Sequence, residues 1–424
     1  MAQKSPPLEK LCLLLLALSL AVTAAAAGYE SLRHFKVQEL VSAAQLKGKH
    51  HQVASEVPTE GYLHVFSITT DWGPLEAEGE SLLLVRLDEV RALSELADVS
   101  KSQVFLKSAG GAVLNVGKGV ASVVTDPEAT VKGLGKGVKR FGTNLGRKAK
   151  RAGDGAVAAV TDDSKSDSSS KSTTEKAADT AGGVANSVLG VSGAARKWAQ
   201  KVGADPYTTN PVLRKTLSDI GKIDAAGSIV AKVAVPIPPV LSTTASVGGL
   251  VWSQDPEALQ KQNEAQFRGL GASGDAIKQL YLSKGFTLTL HTRLASALSA
   301  VQAKGSADYV ATAAEADSER EALFFVESAE MLRQLHATSP VVELLTDSRA
   351  LVARTKDGRG IALAPIDWVQ WTAPFEKAAR EAGERAKREL GAAKLELHLT
   401  GRVSVVAKQE ASALGWSVVE SVKR

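Results

Sequence analysis

Thiols are all but absent from this 424-residue chain, whose one cysteine is Cys12. Cys12 lies within the apolar run Leu11 to Val22, and no cysteine follows that run. A chain trimmed after it holds no thiol, so no disulfide can form even in an oxidising compartment. Lipid attachment of the bacterial lipoprotein kind has no cysteine to use either. Stability must come from a buried core, and about 400 residues are ample for two or three domains.

Catalytic signatures are also missing. "GGAVLNVGKG" resembles a phosphate loop but has the wrong spacing, with Gly119 where Ser or Thr should bind the metal. "GLGKG" has no third glycine at dinucleotide spacing and no strand before it. There is no Gly-x-Ser-x-Gly elbow and no His-Glu-x-x-His or Glu-x-x-His pair among the seven histidines. The reading is no catalytic residue, no metal and no cofactor. His50 and His51 are adjacent, so their side chains diverge, and they read as a polar loop. His64 and His398 read as half-exposed strand positions, and His336 as a core-edge residue. Glu327 and Glu330, one turn apart in an apolar helix, could form an acid pair. Solvated edge positions are the leading reading for both.

What is present begins with a leader. Lys4 and Lys10 flank a polar start, the apolar run follows, and Ala24 to Ala27 supply the small residues of a cleavage site. The run of about twelve residues is short of the ~20 that a ~30 Å hydrocarbon core requires. Residues 1–27 therefore read as a secretory signal peptide, with an uncleaved anchor as the alternative. The expected location is exported: periplasmic or peripheral to the cell envelope.

Charge is uneven. Residues 101–151 carry eleven basic residues against two acids, a net of +9, whereas the whole chain is +5 and the remainder −4. Within this stretch Asp126 caps a helix, Pro127 opens it and Glu128 complements its dipole. At about 100° per residue, Val131, Leu134, Val138, Phe141 and Leu145 share one arc, and the basic side chains take the opposite face. Five glycines at about 1 kcal/mol each make the helix too weak to stand alone. It needs a surface, and three compete. Packing on its own domain is the plainest. An anionic membrane surface or envelope polymer is the functional one, contacted by Lys132, Lys136, Lys139, Arg140, Phe141, Arg147 and Lys148. Nucleic acid is not expected, because export removes the chain from it and stacking aromatics are scarce here.

The fold class reads as α+β, predominantly helical. Residues 28–108 form a small hairpin-plus-helix unit, with Tyr62, His64, Phe66 and Ile68 on one strand face and a turn at "DWGP". Residues 109–152 are the glycine-rich basic segment. Residues 153–183, rich in Ser, Thr, Asp and Lys, read as a disordered linker. Residues 184–340 form a helical bundle, with Asn210, Asp255 and Ser273 as N-caps. Within it, the prolines at 236, 238 and 239 break the nearly uncharged stretch 225–252, which reads as two short core helices around a proline turn, with membrane insertion as the alternative. Residues 341–424 form a small α/β unit, with a hairpin at Asp357-Gly358 and a strand–helix–strand crossover at the end.

Four stretches resemble a group of uncharacterised exported proteins of Gram-negative bacteria. They are "WGPLEAEGESLLLVRLDEVRAL", "GADPYTTNPVL", "EALFFVESAEMLRQLH" and "LTGRVSVVAKQEASALGW". The resemblance spans most of the chain outside the Ser-rich linker and implies an envelope location without a function. The expected function is a non-enzymatic, envelope-associated binding or scaffolding protein, with a protein partner as a further option. The competing class is an exported, hydrolase-like enzyme with a site assembled from dispersed residues. Mass spectrometry of the native chain is expected to find its N-terminus near Gly28. An intact Met1 with Cys12 present would overturn the leader.

Overall fold

The computed structural model describes residues 28–100, 191–227, 245–346 and 351–423. The expected leader, the basic segment, the Ser-rich stretch 153–183 expected to be a linker, and residues 228–244 lie outside these residues. The fold is mixed α+β.

Near the N-terminus, five strands make an antiparallel sheet: β1 (His34–Lys36), β2 (His51–Val53), β3 (Glu56–Glu60), β4 (Leu63–Thr70) and β5 (Gly73–Glu78). Their order is β1-β3-β4-β2, with β5 also on β4. The hairpin at "DWGP" is therefore part of a larger sheet. β4 alternates, so Phe66 and Ile68 face inward, opposite Ala77 and Leu75 of β5. His50 and His51 are held at this sheet and are not a loose polar loop. His50 Nδ1 lies 2.6 Å from Asp71 and the His51 ring contacts the Gln45 carbonyl. A single turn, α1 (Ala43–Leu46), precedes them, and the long helix α2 (Glu80–Ser100) follows the sheet.

Eight helices fill the middle of the described chain: α3 (Gly193–Lys201), α4 (Pro211–Gly227), α5 (Ala245–Ser253), α6 (Pro256–Gly269), α7 (Gly274–Leu282), α8 (Leu288–Ser299), α9 (Ser306–Ala313) and α10 (Glu319–Thr338). Their starts are chemically marked. Asn210 Oδ1 accepts from Val212 and Leu213, Asp255 from Glu257, and Ser273 from Ala276.

The remaining strands are β6 (Val341–Thr346), β7 (Leu351–Thr355), β8 (Arg359–Ala364), β9 (Trp368–Val369), β10 (Lys394–Leu399), β11 (Arg402–Val403) and β12 (Trp416–Val419). A five-stranded sheet runs β12-β10-β8-β7-β6. Its β6-β7-β8 half is antiparallel, and β8, β10 and β12 are parallel. Parallel neighbours need crossovers, and α11 (Ala373–Leu390) and α12 (Val405–Ala413) supply them. β9 and β11 form a separate parallel ribbon.

One core draws on all three regions. Phe35, Phe66 and Ile68 of the first sheet, Leu294 and Leu298 of α8, Met331 and Leu332 of α10, and Ile361 and Leu363 of β8 belong to one buried cluster. A second cluster packs α11 and α12 on the other face of β8 and β10, and a third joins α2 to α3 and α4 around Trp198.

Backbone crosses closely at Gly401, where a Cβ would fall 1.9 Å from the Asp367 carbonyl oxygen. Backbone cannot yield as a side chain can. Gly401→Ala should therefore cost about 3 kcal/mol or more and lower the Tm by several degrees. Gly249→Ala, with nothing within 4 Å of the added carbon, should be neutral or mildly stabilising. Equal melting of the two variants would remove the close crossing from this account.

Candidate functional site

α10 is the element on which the sequence placed its acids. Ser318 caps it, accepting from Glu321 N at 3.2 Å, and Glu319 and Glu321 sit in its first turn. Apolar residues around most of its circumference bury it against α8 and the C-terminal sheet. Glu327 and Glu330 go inside with it, at 3% and 6% exposure. They are not solvated edge residues, because the helix has almost no solvated edge there. Glu330 forms a bidentate pair with Arg293 of α8, at 2.9 Å to Nε and 2.7 Å to the terminal nitrogen. Burial works against the Arg293 charge, but the Glu330 carboxylate outweighs it and holds the guanidinium above its ordinary value. Removing either partner of such a pair costs about 3–5 kcal/mol.

His336 lies six residues further along, nearly two helical turns from Glu330. It is half-buried, and its Nδ1 accepts from Val341 N at 3.1 Å, fixing the entry into β6. Glu330 is thus engaged by Arg293 and His336 by the β6 backbone. A surface depression is lined by Thr338, Ser339, Pro340, Lys356 and Asp357. Its Asp357 is engaged by Thr355 and Arg359, and Arg359 reaches Ser339 and Glu396.

A second charged node joins α2, the α3–α4 connection and the start of α10. Arg86 bonds Glu89 at 3.1 Å and also bonds Glu319. Thr208 and Asn210 both donate to the buried Glu89, and Thr209 donates to Glu319 at 2.8 Å. Asp205 accepts from Thr289 and from Tyr207 N. The side chains of Asp205, Thr208, Thr209 and Asn210 in "DPYTTN" are thus committed to joining this segment to α2, α8 and α10. Burial raises the Glu89 carboxyl despite Arg86, Thr208 and Asn210.

The third node is Asp367, at the entry to β9. Its Oδ2 accepts from His64 N at 3.0 Å and from Glu80 N at 3.2 Å, so it ties β4 and caps the start of α2. Nearby, burial pulls Arg320 below its ordinary value against the fields of Asp367, Glu327 and Glu78. His64 is 2% exposed, not half-exposed as the strand pattern implied. It faces inward with Phe66, and the rings of Phe35 and Phe66 stand against it. His398 is half-buried and pairs with Glu396. Among the described residues, no group of three or more His, Cys, Asp or Glu could hold a metal ion.

Sequence reasoning missed Arg86, Glu89, Arg293 and Asp367. Each is bonded to a residue far off in the chain, so no local spacing marks it. The anticipated contact residues Lys132, Lys136, Lys139, Arg140, Phe141, Arg147 and Lys148 all lie outside the described residues.

These nodes set a pH response. Burial lowers His64 and His291 from 6.5 to about 4. The unfolded chain then binds protons that the folded one refuses, and stability falls as pH drops between those values. Burial raises Asp205 from 3.8 to about 6, and there the sign reverses: the folded form takes the proton first. From about pH 6.5 to 4.5, each histidine should remove about 2 kcal/mol and Asp205 should return about 2 kcal/mol. Urea unfolding of Asp205→Asn should therefore show about 2 kcal/mol more loss over that range than the parent. Superimposable pH curves would exclude Asp205 from the response. No protein-family model matches the chain, and no curated protein or solved structure is significantly similar to it.

Proposed function

We propose that this is an exported, non-enzymatic protein of the cell envelope that acts by binding or scaffolding, with the basic stretch 126–151 as its contact element. The observation that carries this reading is the state of the α10 acids. Glu330 is locked to Arg293 inside a packed core, where an enzyme assembled from dispersed residues would hold its acids at a cleft.

Three further points support it. Among the described residues, no helix is long and apolar enough to cross a membrane. Charge is divided along the chain: residues 28–100 carry twelve acids and six basic residues, a net of −6, directly before the +9 of residues 101–151. A strongly cationic stretch on an acidic body suits contact with an anionic surface, where local attraction need not draw in the whole molecule. The leader pattern and the resemblance to exported Gram-negative proteins agree in location.

Vesicles containing anionic lipid test the contact element. Each Lys or Arg near such a surface contributes about 1 kcal/mol at low salt. Replacing Lys136, Lys139 and Arg140 by Gln should weaken binding about a hundredfold and leave the Tm unchanged. If the stretch packs internally, Phe141→Ala should instead cost about 3–5 kcal/mol of stability and the charge changes should do little. That second pattern would overturn the proposal.

A further inference from the structure

The carboxyl ends of the parallel strands β8, β10 and β12 lie at one edge of the C-terminal sheet. In open α/β sheets, ligands bind beyond this edge, where helix N-termini converge. Here the β9–β11 ribbon leads into α11 and α12, and Ser404 N donates to Val369 O at 2.8 Å, bringing the two helix starts side by side. The place is occupied by the chain's own segment Tyr29 to Arg33.

That segment is held as an extended peptide. Glu30 N donates to Trp371 O at 2.8 Å, and Trp371 N donates to the Glu30 carboxylate at 2.6 Å. The Ser404 hydroxyl, which caps α12, donates to the same carboxylate oxygen. The Gln370 amide donates to Ser31 O and accepts from Arg33 N at 3.1 Å, as a neighbouring strand would. Tyr29 donates to Glu376 at 2.9 Å. The wall residues Gln370, Trp371 and Ser404 are buried and fixed by the starts of two helices.

The occupant contrasts with its groove. Tyr29 and Leu32 are 58% and 60% exposed, and no residue of the segment joins a buried apolar cluster. Glu30 and the backbone engage the wall, and the other holds are at the edges: Tyr29 on Glu376, and the Arg33 guanidinium over the Phe35 and Trp368 rings. Little apolar burial opposes release of such a segment, and segments with few buried apolar contacts open locally. Release would leave two donors, Trp371 N–H and the Ser404 hydroxyl, aimed at one point where two helix dipoles favour negative charge.

We propose that this groove is a binding site for an extended, carboxylate-bearing peptide, and that Tyr29–Arg33 is its exchangeable intramolecular occupant. The carboxylate takes the place of Glu30, between Trp371 and Ser404. The backbone that follows pairs with Gln370, so recognition needs an acidic residue and a free extended main chain. The site is independent of the basic stretch, so its failure would leave the vesicle test standing.

A labelled peptide, GYESLRHFK, matching residues 28–36, is titrated by anisotropy into the full mature chain and its Glu30→Gln variant. The variant's own segment competes less well, so it should bind the peptide at least tenfold more tightly than the unmodified chain. A peptide with Gln in place of its glutamate should lose that binding, as should Gln370→Ala introduced into the variant. A folded variant that binds both peptides alike, or neither, overturns the proposal. Hydrogen exchange on the unmodified chain is the second measurement. The Trp371 amide should exchange faster than the amides around Leu294, and exchange only at the rate of global unfolding would also overturn it.

Discussion

The Asp367 carboxylate joins the two ends of the described chain. Its partners, His64 N and Glu80 N, lie 303 and 287 residues upstream. One negative group thus meets the first N–H of a 21-residue helix and a buried strand amide, both of which would otherwise lack an acceptor at that place. Around it, Asp367 N donates to Tyr62 O and Arg402 N to Asp367 O, so β4, β9 and β11 are registered on the same residue. The single core shared by both sheets depends on this register. Contacts so distant in sequence form late, because loop closure must precede them. While a chain emerges N-terminus first, its first sheet has its own strand partners within residues 34–78, and only the tie to Asp367 must wait for residues made later.

The charged nodes inside this core reach across elements, even where a pair such as Arg86–Glu89 also forms within one helix. Arg293 with Glu330 ties α8 to α10. Arg86 with Glu89 and Glu319 ties α2 to α10 and takes in the threonines and asparagine of the α3–α4 connection. Buried ion pairs add little net stability compared with apolar packing, but they penalise every arrangement that separates them. In the helical middle, a shifted register would part Arg293 from Glu330 and leave two buried charges unpaired. The same commitments keep these acids from serving as free bases.

Local chemistry was legible in the sequence. Asn210, Asp255 and Ser273 cap the helices they precede, the Asp357-Gly358 hairpin joins β7 to β8, and the last strand–helix–strand unit forms β10, α12 and β12. Each signal lies within a few residues of its effect. Glu327 and Glu330 were misjudged because polar residues on a helix usually mark its wet side. Nothing near them in sequence announces Arg293, which turns a wet position into a buried one. The alternation of β4 did group His64 with Phe66 and Ile68. The His64 ring is enclosed by Phe35 of β1 and Thr59 of β3, neighbours that the alternation of one strand does not describe. The basic residues of 126–151 were chosen from charge and period, and neither property says what surface they meet. The groove under Glu30 carried no motif, since its walls come from main chain, one glutamine and one serine hydroxyl.

α2 belongs to two cores. Leu82 and Leu83 near its start lie in the large cluster, and Val90, Leu93 and Leu96 further along lie with Trp198, Leu213 and Leu217 in the third. A rod common to two assemblies makes them one cooperative unit. Melting the α3–α4 packing frees the far half of the rod, and helix propensity alone is too weak to keep that half wound. Fraying can then travel toward Glu80 and the Asp367 cap. In reverse, the rod carries rigidity outward, so the bundle around Trp198 gains order from a sheet that it does not touch through most of its residues.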